Sequence, residues 1–394
     1  MNEPSSTERL RRQNVSLVLR SLRREGPATR TELAQRTGLA KTTVGAIVAD
    51  LEGAEAVVEE ESRSGAGGRP GRPGRPVALR GERHLALGLE INVDYVAAVV
   101  LDLAGQIRIV ETRPTPLEVL GREQALLDLV ADVIVPALAG RVLVGATLAV
   151  PGLVRGDNRT VAWAPNVSLR GDSLVHRLER TLGGRCRVKV SNDANCAAYA
   201  ETHHGAATDS QHVLYLTGTV GIGAGIVERG ELVRGATGFA GEVGHMPVGD
   251  PDALCGCGRR GCWEASIGLH AMIEAVGMTE LATPLDTSRA VATRALGDAS
   301  VRAGLARIGH DVGLGLSVLT TVLDPAVVVL GGYFVPLGDL VLEPARRTLD
   351  ERLVTDVQRR PELRTGALGI QAAALGAAEW SFGDLFAGEL DLAG

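Results

Sequence analysis

The sequence predicts an α/β protein in two parts: a small N-terminal domain of three helices and a β-hairpin, and a larger body of two lobes. Apolar residues recur at helical spacing over the first fifty residues. From residue 84 onward, strand patterns alternate with helix patterns, which is typical of layered α/β architecture. Roughly 310 residues are too many for one core, so the body is expected to form two lobes with a cleft.

Composition places the chain among globular proteins. Hydrophobic residues make up 45% of the 394 residues and charged residues 22%. No apolar stretch reaches the roughly 20 residues that span a bilayer, and the N-terminus lacks the apolar core of a signal peptide. We therefore expect a cytoplasmic protein with no membrane partner. The five cysteines are too few to form a disulfide framework in a chain of this length.

Charge is distributed unevenly along the chain. Residues 1–80 carry 14 Arg and Lys against 10 Asp and Glu, whereas the remainder carries 27 against 37. A basic end on an acidic body indicates an anionic partner at that end. Ordinary variation in surface charge would give the same difference, so charge alone does not establish that an anionic partner binds at this end.

The first 80 residues predict three helices and two short strands. The capping box formed by Thr29 and Glu32 fixes the start of the second helix, and Gly38 supplies the turn after it. A repeated Gly-Arg-Pro segment between the strands forms no packed element and is interpreted as a wing and linker. The predicted helices are Arg9–Arg24, Glu32–Thr37 and Lys41–Gly53, and the strands are Ala56–Glu60 and Val77–Leu79.

Residues 33–47 have the spacing of a helix-turn-helix. Small Ala34 lets the two helices cross closely, and apolar residues lock the pair. With the wing, residues 1–80 are predicted to be a winged helix-turn-helix domain that binds operator DNA. The alternative is a helical cap of purely structural role. Ala40 stands where many such domains carry a capping Ser or Thr. The predicted DNA contacts are Arg30, Thr31, Lys41, Thr42, Thr43, Arg69 and Arg72.

In the body, the strand and helix patterns continue to the end of the chain. The predicted strands are His84–Ile91, Tyr95–Leu101, Ile107–Thr112, Val142–Val150, Arg187–Val190, His212–Leu216, Gly223–Val227 and Ala326–Leu330. The predicted helices are Arg122–Leu138, Ala194–His203 and Val301–Leu323.

A metal motif lies in the second half of the chain. Cys255, Cys257 and Cys262 place three thiols within eight residues, separated by glycines, and His245 offers an imidazole upstream. Three Cys and one His make a closed tetrahedral set typical of structural zinc. The alternative is three unrelated thiols. The two other cysteines, at positions 186 and 196, are isolated and are predicted to be core thiols.

The motif Glu242-x-x-His245, followed by Cys-x-Cys-Gly-x-x-Gly-Cys-x-Glu, resembles that of the ROK family, named for repressors, open reading frames and kinases. With the N-terminal domain, the chain from about residue 9 to about residue 385 is similar to the family's sugar-responsive repressors. The resemblance implies an actin-like body over 81–394. Lobe one is expected over about 81–195 plus the C-terminal helix, and lobe two over about 196–375.

The resemblance also implies a monosaccharide site in the cleft between the lobes. Asp193 matches the catalytic base of the kinase members, and His245 matches a residue that contacts both sugar and zinc. Carboxylates and amides suit the paired hydroxyls of a sugar, and zinc would hold their loop rigid. Each residue alone would serve as a surface group or a helix cap. The matching positions are Gly152, Asn166, Asn192, Asp193, Glu242, His245 and Glu264.

Kinase members of the family carry Asp-x-Gly-Gly-Thr where this chain has Asn92 and Val93 in place of both glycines. Glu90 and Asp94 flank them, and side chains and negative charge at this place disfavour ATP phosphates. Segments 217–225 and 327–332 do resemble the family's other nucleotide segments, although glycine turns and a buried strand explain them equally. We therefore expect no enzymatic activity.

The sequence as a whole predicts a transcription factor that binds operator DNA as a homodimer or homotetramer and responds to a monosaccharide. The resemblance favours a repressor. One alternative is an active sugar kinase that also binds DNA. A second is a regulator that has lost sugar binding and responds to a protein or a phosphorylated metabolite.

Overall fold

The computed structural model describes residues 6–60, 74–115, 119–219, 221–354, 360–390 and 392. The predicted DNA contacts Arg69 and Arg72, and most of the Gly-Arg-Pro segment, lie outside these residues. The described helices are α1 Ser6–Glu25, α2 Arg30–Thr37, α3 Lys41–Gly53, α4 Val119–Leu129, α5 Val135–Ala137, α6 Ser173–Thr181, α7 Asp193–His204, α8 Glu264–Ile267, α9 Leu269–Val276, α10 Pro284–Ala295, α11 Ala299–Leu323, α12 Phe334–Leu337, α13 Asp339–Arg352, α14 Ala372–Ser381 and α15 Gly383–Phe386.

The strands follow the predicted ones closely and include several short ones that the sequence analysis missed. They are β1 Ala28–Thr29, β2 Val57–Glu59, β3 Pro76–Leu79, β4 His84–Ile91, β5 Tyr95–Asp102, β6 Ile107–Pro114, β7 Val142–Val150, β8 Leu153–Val154, β9 Val161–Ala164, β10 Leu169–Gly171, β11 Val188–Asn192, β12 His212–Gly218, β13 Ile222–Glu228, β14 Glu231–Leu232, β15 Val327–Gly332 and β16 Glu362–Thr365.

The N-terminal helices and strands form one small unit. Strands β1, β3 and β2 pair antiparallel beside helices α1 to α3. The predicted capping box is confirmed, because Thr29 accepts from the amide of Glu32 while the Glu32 carboxylate accepts from the amide of Thr29. Gly38 ends α2 with a φ of 73°, the left-handed conformation that glycine adopts without steric cost. Helix α3 therefore begins after a short turn.

The body repeats one sheet topology twice. The first five-stranded sheet has the order β11-β7-β4-β5-β6, and the second has the order β16-β15-β12-β13-β14. In each sheet the first three strands along the chain are antiparallel, and the two later strands are added in parallel. Each sheet therefore belongs to its own lobe, and the mixed α/β architecture predicted for the body is confirmed.

Helix α14 packs against both α7 and the first sheet. A Cβ on Gly376 of α14 would lie 1.7 Å from the carbonyl oxygen of Cys196 in α7. A Cβ on Gly88 of β4 would lie 1.8 Å from the carbonyl oxygen of Ala374 in α14. Glycine is required at both positions because the backbones approach so closely. Because backbone meets backbone at these two contacts, α14 is held closely between α7 and β4.

The N-terminal unit shares a core with the body. Buried Leu19 and Leu22 of α1 belong to the same apolar cluster as Leu101, Leu103 and Phe382. Polar groups accompany this contact, since the Arg23 guanidinium donates to the carbonyl of Leu103 at 2.8 Å and pairs with the Glu379 carboxylate. The two parts of the chain are therefore joined by a packed interface in addition to the covalent connection. No helix of the described residues has the length and apolar character to cross a membrane.

Candidate functional site

The start of helix α7 lies at the carboxyl end of strand β11. Asn192, the last residue of the strand, caps the helix, because its side-chain oxygen accepts from the amide of Asn195 at 3.1 Å. Helix capping is one role that the sequence allows for Asp193; in the structure Asn192 is the capping residue, and Oδ1 of Asp193 accepts from the backbone amide of Ala194 at 2.9 Å. Asp193 is thereby left to face the cleft from the first turn of the helix, buried and lining a cavity.

The side-chain amide nitrogen of Asn192 donates to the backbone carbonyl of Gly152 at 3.1 Å. This bond joins the loop after β7 to the start of α7, and so brings two of the predicted sugar contacts together. Asn166, a third predicted sugar contact, is exposed in the 3-10 turn Pro165–Val167, where Arg122 donates to its backbone carbonyl at 3.2 Å.

Acidic side chains converge at the same end of the cleft. Burial, together with the negative charge of Glu242, raises the pKa of the Asp193 carboxyl to about 7, although backbone amides that donate to it oppose part of the rise. Burial also raises the pKa of Glu242, while His245 lowers it and Glu264 adds to the increase. Four predicted sugar contacts are therefore close enough for the charge of one to shift the pKa of another: Asp193, Glu242, His245 and Glu264. With a pKa of about 7, the Asp193 carboxyl can both donate to and accept from hydroxyl groups near neutral pH.

The four predicted metal ligands form one cluster. The ligand atoms of His245, Cys255, Cys257 and Cys262 all lie within 4.8 Å of one another. The sulfurs of Cys257 and Cys262 are 3.7 Å apart, and Nδ1 of His245 is 3.8 Å from the Cys255 sulfur. A tetrahedral zinc with bonds of about 2.3 Å to sulfur separates its sulfurs by about 3.8 Å. The donor set and its spacing therefore fit zinc.

Glu264 connects the cysteine cluster to the second sheet. Its Oε2 accepts from the amide of Ile222 at 2.8 Å, and its Oε1 lies 3.5 Å from the Cys255 sulfur. The remaining two cysteines are placed as core thiols, since Cys196 is buried and Cys186 is half-buried against the first lobe's core.

The turn between β4 and β5 shows what has replaced the two glycines of the kinase motif. The side-chain oxygen of Asn92 accepts from the backbone amide of Val93 at 2.7 Å. The Asn92 amide nitrogen donates to Oε1 of Glu90 at 3.0 Å, and the Tyr95 hydroxyl donates to the same oxygen at 2.8 Å. The turn therefore satisfies a backbone donor internally and places a buried carboxyl beside the cleft.

The five predicted DNA contacts among the described residues lie at the starts of helices α2 and α3. Lys41 and Thr42 are exposed in the first turn of α3, and Thr43 is half-buried there. Arg30 and Thr31 begin α2, but the Arg30 guanidinium lies 2.9 Å from Glu59 and 3.5 Å from Glu52. Arg30 therefore links strand β2 to helix α3 within the N-terminal unit.

Sequence reasoning missed a set of residues at the interface with α1. Glu379 is 3% exposed and accepts from the Arg23 guanidinium, while Nε2 of His204 lies 2.9 Å from the same oxygen. Burial alone would raise the pKa of Glu379, but the His204 hydrogen bond and the Arg23 charge hold it at about 2. One signal of this buried ion pair is visible in the sequence: Glu379 is the single acidic residue in the alanine-rich sequence of α14.

The fold and the site together define a two-lobed α/β protein of actin-like architecture, with a Cys₃His cluster beside its cleft. The chain belongs to the ROK family, whose family model matches residues 86–383. The predicted family membership is confirmed.

Comparison with known proteins finds regulators and kinases. The chain is 29% identical over 367 residues to the xylose repressor of Bacillus subtilis, covering 92% of this chain and 93% of that protein. It is 31% identical over 315 residues to a glucokinase of Streptomyces coelicolor, covering 75% of this chain and 96% of that protein. A crystal structure of a ROK family transcriptional regulator, a homolog of the E. coli MLC protein, matches with a TM-score of 0.79 at 21% identity, covering 96% of this chain and 98% of that one.

The first prediction concerns the metal. We expect the purified protein to contain one zinc per chain by mass spectrometry, and Cys257→Ser to lose it, because three ligands rarely hold structural zinc as tightly as four. Cys186→Ser is the matched control and should retain the metal. A wild-type protein that contains no metal after purification without chelators would remove the assignment.

Proposed function

We propose that this chain is a DNA-binding transcriptional regulator, and specifically a repressor, whose affinity for operator DNA is set by a monosaccharide in the cleft between the lobes. The observation that carries this is that one chain joins a ROK body to an N-terminal unit of three helices and a three-stranded sheet, an arrangement that supports a winged helix-turn-helix. The match to the xylose repressor spans 92% of the chain, whereas the match to the glucokinase spans 75%. The family model begins at residue 86, so the N-terminal unit lies outside the part of the chain that it matches.

The N-terminal unit is built to present α3 to a DNA groove. Helices α2 and α3 meet at a short turn, and the three-stranded sheet beside them supplies a wing. Ala40 makes no side-chain cap, so the first amides of α3 keep their capacity to donate to a phosphate. Lys41 adds a positive charge at the same helix end. A homodimer would present two such helices to the two half-sites of an operator.

The second prediction tests this surface. Lys41→Ala should weaken operator binding by about 1–3 kcal/mol if Lys41 contacts a base, and by less if it contacts only phosphate. Electrophoretic mobility shift or fluorescence anisotropy titration at fixed salt measures the change. Arg229→Ala is the matched control, because Arg229 is an exposed cation of the second lobe. Equal effects of the two substitutions would place the DNA surface elsewhere.

The cleft supports sugar binding through Asn192, Asp193, Glu242, His245 and Glu264. These residues combine amide, carboxyl and imidazole groups, which match paired hydroxyls. Zinc, when bound, would fix the loop that carries His245 and the cysteines preceding Glu264, and so would hold one side of the sugar site rigid. The backbone amide of Ile222 donates to the Glu264 carboxylate and so orients it whether or not zinc is bound.

Phosphoryl transfer is not part of the proposal. Transfer requires phosphates held by backbone donors and a metal ion before a catalytic base can act. In this chain the Val93 amide is already bonded to the Asn92 side chain, and the Glu90 carboxyl lies behind it. Asp193 is therefore assigned to the sugar as a hydrogen-bonding partner.

The third prediction separates regulator from kinase. Calorimetry with glucose, N-acetylglucosamine, mannose and xylose should identify a sugar that the wild type binds and that Asp193→Asn binds about fivefold or more weakly, since a buried hydrogen-bonding partner is worth about 1–3 kcal/mol. The same sugars with ATP should give no ADP release above that of the Asp193→Asn variant. Turnover that depends on Asp193 would make the chain a sugar kinase that also binds DNA.

Helix α7 links the proposed sugar site to the DNA-binding unit. The helix has 12 residues and runs from Asp193 to His204, a distance of about 17 Å. His204 bonds to the Glu379 carboxylate, which pairs in turn with Arg23 of α1. Closure of the lobes around a sugar would move α7, and this chain of contacts would carry the movement to the domain that holds α3.

The fourth prediction tests that connection. Arg23→Met keeps an aliphatic stem against Phe382 but removes the charge that Glu379 pairs with. We expect the variant to bind sugar with unchanged affinity while the effect of sugar on operator affinity falls severalfold. Arg24→Met, an exposed neighbour on the same helix, should leave the sugar effect intact. An Arg23→Met protein that folds and responds to sugar like the wild type would exclude this route.

A further inference from the structure

A cavity separate from the cleft lies between the N-terminal unit and lobe one. Its volume is about 1000 Å³, at the upper end of the range of pockets that hold small organic ligands. The end of helix α3 that is farther from Lys41 forms part of its wall, through Ala49, Asp50 and Gly53. Strands β7 and β11 of lobe one supply another part. None of the proposed sugar contacts, all of which the structure describes, lines this cavity.

Strand β11 gives the cavity a positively charged wall. It is an edge strand of the first sheet. Val188 and Val190 belong to the apolar core of lobe one, and successive side chains of a strand point to opposite faces, so Lys189 lies on the other face. Arg185 and Arg187 continue the same alternation just before the strand, and all three cations line the cavity. The face of this edge that meets the N-terminal unit is therefore cationic.

Most other charged groups of the wall are already paired. The pairs are Arg83 with Glu55, Arg159 with Glu179, Lys189 with Asp384, and Arg11 with Asp50. Asp157, a further lining acid, accepts three hydrogen bonds from the Arg159 amide and from the amide and hydroxyl of Thr160. Arg185 and Arg187 are exposed, and within the described part of the chain neither makes an ion pair or a hydrogen bond. The cavity thus offers two guanidinium groups that have no partner among the described residues.

Two guanidinium groups close together in the chain suit a doubly charged anion. A guanidinium binds phosphate through two parallel N–H donors, and a phosphate monoester carries a charge of about −1.5 to −2 at pH 7. Apolar side chains, among them Val142, Leu390 and Leu392, complete the wall. An inorganic ion would fill only a small part of this volume, so the cavity suits an anion that also carries an organic group.

We propose that this cavity binds a small organic phosphate monoester, whose phosphate is held by Arg185 and Arg187 and whose organic group lies between Val142 and the end of α3 at Ala49. The ligand contacts both the N-terminal unit and lobe one, so it stabilises the arrangement in which the two are packed together. The site lies outside the cleft, and the inference therefore goes beyond the proposed function and does not depend on sugar binding.

The test is calorimetry on the full chain at fixed, low ionic strength with matched ligands. Glucose 6-phosphate, ribose 5-phosphate and glycerol 3-phosphate are compared with glucose, ribose, glycerol and inorganic phosphate. At least one ester should bind with a Kd below about 1 mM, and about tenfold or more tightly than both its parent compound and inorganic phosphate. The titrations are repeated with Asp193→Asn, in which the ester should keep its affinity because the cavity does not include the cleft.

Substitutions on both walls locate the ligand. The double variant Arg185→Gln with Arg187→Gln should bind the ester at least about tenfold more weakly, because both charged donors are lost. Ala49→Trp should weaken binding by a similar factor by filling the cavity from α3. Arg229→Gln, an exposed cation of lobe two, and Ala46→Trp, an exposed position of α3 that does not line the cavity, are the matched controls. Thermal melting of each variant reports whether it remains folded.

The other outcomes each overturn part or all of the proposal. An ester that Asp193→Asn no longer binds, but that the double arginine variant binds normally, occupies the cleft instead. Equal affinity for inorganic phosphate would leave an anion site without an organic subsite, and an ester unaffected by Ala49→Trp would not reach α3. If no anion binds, the two arginines are a solvated, charged sheet edge, and the sugar site is untouched by that result. If the double variant weakens operator binding without any ester as much as Lys41→Ala does, the arginines contact DNA.

Discussion

The close packing of α14 between α7 and strand β4 is the constraint on which the rest of the body depends. Gly376 and Gly88 allow backbone atoms to meet where a Cβ would overlap a carbonyl oxygen. Close-packed interiors transmit displacement instead of absorbing it. Helix α7 therefore cannot shift alone, and any force at Asp193 reaches α14 directly. Both lobes contact these two helices, since α7 packs on strands of each sheet.

The buried Glu379 sits where that packing meets the N-terminal unit. An unpaired carboxylate at 3% exposure would be costly, and removing one partner from a buried ion pair typically costs about 3–5 kcal/mol. Here the partners come from two different parts of the chain, His204 from α7 and Arg23 from α1. The carboxylate is thus satisfied only while both elements hold their positions. A contact of this kind favours one relative placement of the parts over others, whereas the apolar contacts around it are less selective.

Local sequence patterns were sufficient to predict those features that depend on residues close together in the chain. The capping box at Thr29, the turn at Gly38 and the cysteine spacing around Cys257 depend on residues within one turn or loop, and the structure places them as predicted. The pairing of Glu379 with Arg23 joins residues 356 positions apart, so no local pattern encodes it. The burial of Glu90 was missed for a related reason: Glu90 was noted as a charge, but its burial follows from strands that only the folded sheet brings together.

The turn between β4 and β5 shows how one side chain joins several polar groups. Replacing a glycine by Asn92 gives the Val93 amide an internal acceptor and gives the Glu90 carboxyl a donor. The same side chain therefore satisfies a backbone amide and supports a buried carboxyl. Burial raises the pKa of Glu90 to about 7, and the hydrogen bonds from Asn92 and Tyr95 oppose part of that rise. Asn92 thereby fixes the conformation of the turn and lowers the pKa of the acid beside the cleft at the same time.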